Sequence, residues 1–250
     1  MPRFFVSAEQ ISDNVVTLTG DDAHHIARSL RMAAGEFITV CDDRAIEYEC
    51  RLTTFEQDKR VLAEIVSSAP SATEPPFDAY LFQALPKGEK FDSIIQKAVE
   101  CGVYEIVPFQ SSRCIAKAKA DGEADKTKRR CRIAAEAAKQ SGRGRVPAVK
   151  PTVSFEQMLS LTEECDLCLF CYEGEGTQTL ASILQNEQGF PARPRIAVIV
   201  GSEGGFSRTE EELASSLGYA SVTLGKRILR AETAAVALTS VVMFVLGELR

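Results

Sequence analysis

Short apolar runs separated by Gly, Asp and Lys turns mark the first seventy residues of the 250-residue chain. Four of these runs predict β-strands, at residues 15–18, 37–40, 46–52 and 61–66. A helical segment, residues 21–31, interrupts them and begins with acidic residues, which suit the N-terminal end of a helix dipole. The run from 67 to 76, rich in Ser, Ala and Pro, predicts a linker. We therefore predict a small β-rich domain over residues 1–70, with 71–76 as the linker that follows it.

Beyond the linker, unbroken apolar runs alternate with segments of helical periodicity. The predicted strands are residues 79–85, 105–109, 166–172, 196–200 and 221–224, and the predicted helices are 89–101, 125–140, one opening at Ser207 and one starting near Ala231. In the first helix the predicted inward face is Phe91, Ile94, Ile95, Ala98 and Val99, and Gly102 is the predicted C-terminal cap. A Ser207–Glu210 capping box opens a later helix, whose predicted inward face is Leu213, Ala214 and Leu217. Continuous apolar strands between helices are typical of a parallel sheet covered on both faces, so residues 77–250 predict an α/β domain.

Residues 234–246 contain no charged side chain. The stretch is too short for a membrane span, which needs about 20 residues, and a helix that is apolar all round is buried. It therefore predicts a core or subunit-interface helix and no membrane partner. The first six residues lack the apolar segment and cleavage site of a signal peptide, and we expect a cytoplasmic protein.

Eight cysteines in a cytoplasmic protein indicate reduced thiols rather than a disulfide framework. Cys165, Cys168 and Cys171 follow a C-x-x-C-x-x-C spacing, but metal sites of this type usually need a second close pair or histidines. The two histidines, His24 and His25, are adjacent in sequence and point to different sides of a helix. The three cysteines are interpreted as small apolar residues of a buried strand, and no metal site is predicted.

The charge of the chain is unevenly distributed. The net charge is −6, yet residues 117–145 contain ten basic and four acidic residues and carry +6. A concentrated basic segment on an acidic protein is the footprint expected for contact with a phosphate backbone. A solvated helix face explains the same pattern, and charge alone does not separate the two.

Two glycine-containing loops follow predicted strands in the last fifty residues. The first is Val-Gly-Ser-Glu-Gly-Gly-Phe, residues 200–206, and the second begins at Gly225 and runs to Arg230. Ligands of open α/β sheets bind at the carboxyl ends of strands, and glycines let the backbone approach a ligand closely. The first loop lacks the pattern of a dinucleotide or P-loop site. The two loops are predicted to form one pocket; a tight turn without function is the alternative for the first.

These loops resemble a known family. Residues 200–206 and the segment Leu-Gly-Lys-Arg-Ile-Leu-Arg-Ala-Glu-Thr-Ala, residues 224–234, are similar to the SPOUT superfamily of trefoil-knotted methyltransferases, and within it to the RsmE-type 16S rRNA (uracil-N3)-methyltransferases. Shorter segments agree, at residues 3–5, 24–25 with 30–31, 86–88 and 140–143. The resemblance implies a PUA-like RNA-binding β-barrel at 1–70, a trefoil-knotted SPOUT domain with a parallel sheet at 77–250, and a homodimer that acts on small-subunit ribosomal RNA.

The resemblance also implies that S-adenosylmethionine (SAM) binds in the knot, contacted largely by backbone groups. Carried over to this chain, its pocket consists of Val200, Gly201, Leu224, Gly225, Ile228, Leu229 and Arg230, with Thr233 nearby. Two positions depart from the family pattern. Ser202 replaces a proline, which should loosen the turn slightly without removing a ligand contact, and Lys139 replaces a glutamate, so that position is assigned no role.

Methylation of uridine at N3 requires loss of the N3 proton, so O2 and O4 of the base gain negative charge. Arg143 and Arg230 are predicted to contact that anion or an adjacent phosphate. Glu203 is a candidate general base, with a structural role in the loop as the alternative.

Predicted RNA contacts occur in both domains. His24, Arg28 and Arg31 fall at i, i+4 and i+7, so they are expected to share a helix face. Together with Arg3 they form a docking patch, for which a plain exposed face is the alternative. Lys87, Arg129, Arg132 and Arg143 complete the predicted RNA-binding residues.

The first functional hypothesis is a SAM-dependent 16S rRNA uridine-N3 methyltransferase that works as a dimer on the small ribosomal subunit. One alternative is an RNA-binding protein that kept the knot without catalysis. The other is a knotted methyltransferase that acts on tRNA ribose. Sequence alone does not identify the base, the RNA position or the assembly state of the substrate.

Overall fold

The structure is a computed structural model that describes residues 1–56, 59–116, 122–174, 176–184 and 190–249. It divides into two compact units, Met1–Glu74 with Ala138–Val146, and Pro75–Ala137 with Pro147–Arg250. Relative to the predicted boundaries, the first unit also takes in residues 71–74 and 138–146. In the described part of the chain, no helix is long and apolar enough to cross a membrane.

The first unit is built on a six-stranded sheet. Its strands are β1 Arg3–Phe5, β2 Ile11–Ser12, β3 Val15–Thr19, β4 Phe37–Cys41, β5 Ile46–Glu56 and β6 Arg60–Pro70. Their order is β1-β4-β5-β6-β3-β2, with every pair antiparallel except β1 and β4. Side chains alternate across a strand, and the inward set is fully buried: Val16 and Leu18, Ile38 and Val40, and Val61 and Ala63. The four strands predicted here are confirmed.

Two predictions for this unit were wrong in their bounds. Strand β6 continues to Pro70, which pairs with Ile46 of β5, so residues 67–70 belong to the sheet and not to a linker. The predicted helix over 21–31 is a short α-helix, α1 Gly20–His24, followed by a π-helical turn, His25–Ser29. Arg31 lies beyond it with a left-handed backbone, at φ 53°. The helical face predicted to join His24, Arg28 and Arg31 therefore does not reach Arg31.

The second unit contains an all-parallel sheet. Its strands are β7 Asp78–Ala84, β8 Glu105–Gln110, β9 Ala148–Val149, β10 Val153–Ser154, β11 Leu167–Cys171, β12 Gln178–Thr179, β13 Arg195–Val200 and β14 Ala220–Thr223. They follow the order β10-β8-β7-β13-β11-β14-β12, with β9 also paired to β8. The predicted parallel sheet is confirmed. Because β11 separates β13 from β14, the carboxyl ends of these three strands lie side by side.

Six helices accompany this sheet in the described residues: α2 Lys90–Glu100, α3 Glu123–Ser141, α4 Phe155–Leu161, α5 Leu180–Leu184, α6 Arg208–Ser216 and α7 Ala231–Val245. The last turn of α3 belongs to the first unit. Helix α2 buries all five residues predicted for its inward face, and Gly102 follows it with φ 103°, as a C-terminal cap requires.

Helices α6 and α7 differ in how well their buried faces were predicted. The Ser207–Glu210 capping box that opens α6 is confirmed. Its inward face was predicted wrongly, because Ala214 is buried whereas Leu213 and Leu217 are exposed. Helix α7 contacts α2, β7 and β13 and buries Leu238 and Val242, among others.

Candidate functional site

The two glycine-containing loops line one cavity at the carboxyl edge of the sheet, as predicted. The cavity has a volume of about 480 Å³. Residues 200–206 form one side, and residues 228–231 with Ala234 form another. Residues 171–174, at the end of β11 and just after it, complete the cavity together with Arg113. A smaller hollow of about 140 Å³ adjoins it and is lined by residues 223–229. Every residue predicted for the pocket lines one of these two spaces except Thr233, which lies exposed on the first turn of α7.

Close backbone packing explains two of the glycines after β13. A side chain at Gly201 would place its Cβ 3.1 Å from Cα of Gly205, inside the loop itself. At Gly204 the added Cβ would lie 3.0 Å from both Cβ and the carbonyl oxygen of Arg113. The loop is therefore folded tightly on itself and on the segment that carries Arg113.

Two buried polar atoms at this loop have no hydrogen-bond partner. The amide nitrogen of Gln83, at the end of β7, donates to the carbonyl oxygens of Ala84 at 2.9 Å and Gly201 at 3.1 Å. Its Oε1 is buried without a partner among the described residues, and so is Oγ of Ser202. Buried polar atoms are usually satisfied, so these two favour a polar ligand or an ordered water near the loop.

Glu203 anchors the glycine-rich loop. Its carboxylate accepts hydrogen bonds from the backbone N–H of Lys87 at 3.2 Å and from Nζ of Lys90 at 2.8 Å. Nζ of Lys90 also lies 3.5 Å from Glu232 at the start of α7. Burial alone would raise the pKa of the Glu203 carboxyl, but the hydrogen bonds from Lys90 and backbone N–H groups outweigh it and hold that pKa below its ordinary value. A lowered pKa makes a weaker base, and the role of Glu203 as general base stays a prediction.

The two arginines predicted to act on the uracil anion lie in different units. Arg230 is the N-cap residue of α7; it is exposed and lines the cavity. Arg143 lies in the first unit with 4% of its side chain exposed. Nε and Nη2 of Arg143 bond the two carboxylate oxygens of Glu74, each at 2.8 Å. The cavity-lining residues thus include Arg230 and not Arg143.

Arg113 is a cavity residue that the sequence did not single out. It follows β8 in a polar segment, Ser111-Ser112-Arg113, and its side chain is exposed at the cavity. A polar loop directly after a buried parallel strand was the available signal, since such loops gather at the ligand-binding edge of the sheet. The contact between Arg113 and Gly204 joins residues far apart in sequence, which no local pattern reveals.

The predicted RNA-binding residues divide between exposed and engaged side chains. His24, Arg28 and Arg31 of the first unit are exposed, as are Lys87, Arg129 and Arg132 of the second. Nη1 of Arg3 bonds Glu47 at 2.8 Å and the carbonyl oxygen of Arg143 at 3.1 Å, so Arg3 also has a structural role. Lys117 and Lys119 of the predicted basic segment lie outside the described residues.

The cysteines of the C-x-x-C-x-x-C segment lie in and beside β11. Cys168 is buried, and Cys171 forms part of the cavity wall. Burial raises the pKa of the Cys171 thiol to about 12, so this thiol is neutral at physiological pH. Among the described residues, no group of His, Cys, Asp and Glu side chains is arranged to hold a metal ion.

Comparison with known families and proteins gives consistent matches. The sequence profile of an RNA methyltransferase domain matches residues 73–243, and that of an RNA methyltransferase PUA domain matches residues 18–66. The ribosomal RNA small subunit methyltransferase E of Bacillus subtilis (strain 168) is 33% identical over 238 residues, which cover 94% of this chain and 93% of the relative. That of Synechocystis is 34% identical over 93% of this chain and 74% of the relative.

Solved structures resemble the whole chain. The crystal structure of a ribosomal RNA small subunit methyltransferase E from Neisseria gonorrhoeae bound to SAM superimposes with a TM-score of 0.83, 31% identity and full coverage of both chains. A methyltransferase from Legionella pneumophila in complex with SAM gives a TM-score of 0.81 at 30% identity, over 97% of this chain and 96% of the other. The chain therefore belongs to the ribosomal RNA small subunit methyltransferase E family.

Proposed function

We propose that this protein is a SAM-dependent methyltransferase that methylates N3 of a specific uridine in 16S ribosomal RNA. The observation that carries the proposal is the cavity formed by the two glycine-containing loops, in a chain of this family. Relatives with the same fold over nearly their whole length bind SAM.

The residues of the cavity fit SAM as a ligand. A volume of about 480 Å³ lies within the range of small-molecule sites. Ile228 is 85% exposed although it is a large apolar side chain, and a ligand with an apolar surface would cover it. Ser202, whose Oγ has no partner among the described residues, and the backbone of the glycine-rich loop offer polar contacts in the same cavity. Val200, Gly201, Leu224, Gly225, Ile228, Leu229 and Arg230 are the residues that would hold the cofactor.

SAM, when bound, supplies an electrophilic methyl group. This chain must therefore position the uridine and provide for removal of the N3 proton. Alignment of two reactants in one site contributes several kcal/mol, up to about 7–11 kcal/mol in the best intramolecular cases. Arg230, exposed at the cavity, is placed to stabilise the negative charge that spreads to O2 and O4 of uracil as N3 is deprotonated. Glu203 remains a candidate for the base, although its carboxylate already accepts hydrogen bonds from Nζ of Lys90 and the backbone N–H of Lys87.

The RNA would be held by both units. The family's PUA domain covers residues 18–66, where His24 and Arg28 are exposed. In the second unit, Lys87 and the exposed basic residues of α3, Arg129 and Arg132, supply positive charge for the phosphate backbone. Arg129 is paired with Asp92 but is mostly exposed, so its guanidinium can leave the Asp92 carboxylate and bind an RNA phosphate instead.

The protein acts as a cytoplasmic homodimer in this proposal. Val241, Phe244 and Val245 recur at helical spacing on α7 and are exposed in the single chain. A contiguous apolar helix face of this kind is characteristic of a subunit interface. A trefoil knot in the second unit is part of the same proposal and rests on the resemblance to SPOUT enzymes.

The decisive experiment combines tritiated SAM with small ribosomal subunits from a strain that lacks the modification. We expect label in 16S RNA, and mass spectrometry of the digested product should identify N3-methyluridine. A 2′-O-methylated nucleoside or label in tRNA would contradict the proposed substrate. Calorimetric titration with SAM tests the alternative of an RNA-binding protein that kept the knot without catalysis. Such a protein should give neither heat of SAM binding nor methyl transfer, and that result would remove the SAM proposal.

A further inference from the structure

We propose that Arg113 is a further RNA-binding residue of this site, which contacts an anionic oxygen of the target nucleotide beside Arg230. The inference rests on the proposed function and assigns a second arginine to the cavity, contributed by the loop after β8.

The guanidinium of Arg113 is available for a ligand. Its Nη1 donates to the carbonyl oxygen of Gly204 at 3.3 Å, and within the described part of the chain it takes part in no ion pair. An arginine offers five N–H donors, so a single neutral acceptor leaves most of them unused. The side chain is exposed and lines the cavity.

The charge balance of the cavity favours an anion. Among the described residues, four charged side chains line it: Arg113, Glu173, Glu203 and Arg230. Lys90 neutralises Glu203, so in the described part of the cavity wall two arginines face one remaining carboxylate, that of Glu173. Because Arg113 and Arg230 are exposed while Val200 and Gly201 are buried at the inner end, the positive excess lies where a large RNA can reach it.

Glu210 holds the Arg113 segment in place. Its Oε1 accepts from the backbone N–H of Ser112 at 2.7 Å, and its Oε2 accepts from Oγ of Ser112 at 2.9 Å and from the N–H of Ser207 at 2.8 Å. The same carboxylate therefore caps α6 and fixes the residue next to Arg113. On the other side, the backbone of Arg113 packs against Gly204. These contacts fix the backbone from which the Arg113 side chain extends, so less of the segment must be ordered when the guanidinium meets its ligand.

The test compares Arg113→Ala and Arg113→Lys with wild type in two assays. Isothermal titration gives the Kd for SAM without RNA, and tritium transfer to unmodified small subunits gives kcat/KM for the RNA. We expect Arg113→Ala to lower kcat/KM by about 10- to 100-fold, the usual effect of losing a charge-assisted hydrogen bond. The Kd for SAM should stay within about threefold of wild type, and Arg113→Lys should recover part of the activity because the charge is kept.

Arg208→Ala is the matched control. Arg208 lies just beyond the glycine-rich loop, as the first residue of α6, and 87% of its side chain is exposed. It pairs with Glu212 on the same helix and does not line the cavity. This variant should keep kcat/KM within about twofold of wild type. Unchanged kcat/KM in Arg113→Ala would overturn the inference, and so would a loss accounted for by weaker SAM binding, since Arg113 would then contact the SAM carboxylate. If wild type transfers no label, the proposed function fails rather than this assignment.

Discussion

At the scale of single residues, the same side-chain type has different surroundings in the two units. Arg143 is enclosed with Glu74 in a bidentate ion pair, and the backbone N–H of Gly144 bonds the same carboxylate at 2.8 Å. Arg113 and Arg230 face the cavity. Buried charges persist only when paired, so Arg143 has a structural role whatever it also does toward RNA.

We predict that Arg143→Ala lowers the free energy of unfolding by about 3–5 kcal/mol, because it leaves the Glu74 carboxylate buried without its cation. Urea unfolding monitored by circular dichroism measures the change. The control is Arg51→Ala, whose pair with Glu64 is about half exposed and should contribute less than about 1 kcal/mol. Equal effects of the two substitutions would show that the Arg143 pair contributes no more than a surface contact.

The residues of the site were predictable where their signal is local. The glycine-rich loop is recognisable because it directly follows an apolar strand, and the segment from Gly225 to Arg230 follows a second strand within thirty residues. Arg113 was missed because its significance depends on contacts with Gly204 and on the clamp from Glu210, both about 90 or more residues away. Arg143 was assigned to the site from resemblance, and only its partner Glu74 reveals the ion pair.

At the scale of elements, caps and periodicity were predicted well, and faces of short helices were not. The Ser207–Glu210 box forms as expected, because capping depends on residues three apart. Leu213 and Leu217 are exposed although the helical period places them with Ala214. Helix α6 spans only nine residues, and one buried residue plus the cap suffice to dock it.

We predict that Glu210→Ala lowers the free energy of unfolding by about 2–4 kcal/mol, since it removes the N-terminal cap of α6 and leaves donors of Ser112 and Ser207 unsatisfied. Thermal unfolding reports the loss. Glu212→Ala on the same helix, where the carboxylate is mostly exposed, should change stability by no more than about 0.5 kcal/mol. A Glu210 variant as stable as the Glu212 variant would show that the hydrogen bonds from Ser112 and Ser207 to Glu210 do not stabilise the fold.

Lys90 connects the glycine-rich loop with the start of α7 through Glu203 and Glu232. We predict that Lys90→Met raises the Kd for SAM about two- to fivefold at pH 7, because the loop loses an ionic anchor. The exposed Lys97 of the same helix provides the control, and Lys97→Met should leave the Kd unchanged.

The pH dependence of this anchor has a definite sign. The pKa of Glu203 is held below its ordinary value in the folded protein, so its contribution to stability is fully present above the ordinary pKa of about 4.3. It is lost as the pH falls through the lower pKa of the folded state. The stability difference between wild type and Lys90→Met should therefore shrink in acid. A difference that stays constant down to pH 3 would show that Glu203 is not the partner involved.

At the scale of the whole molecule, the fold class followed from alternation of apolar runs and helices, since parallel strands buried on both faces have an unmistakable pattern. The order of the strands in the sheet could not be predicted from this alternation. The pairing of β13 with both β7 and β11 is decided by contacts between residues far apart in sequence. The membership of residues 138–146 in the first unit could not be predicted either, since α3 continues into it without any break in its helical pattern.

The exposed apolar face of α7 carries the last prediction, which concerns the homodimer. Phe244 is 64% exposed, and Val241 and Val245 lie beside it on the same face. We predict that wild type sediments as a dimer and that Phe244→Glu sediments as a monomer with an unchanged circular dichroism spectrum, because a carboxylate buried without a partner is strongly unfavourable at an apolar interface. Val66→Glu is the matched control, since Val66 is an exposed apolar residue of the first unit and its substitution should leave the dimer intact. A monomeric wild type, or a dimeric Phe244→Glu, would show that this face of α7 does not join two copies of the chain.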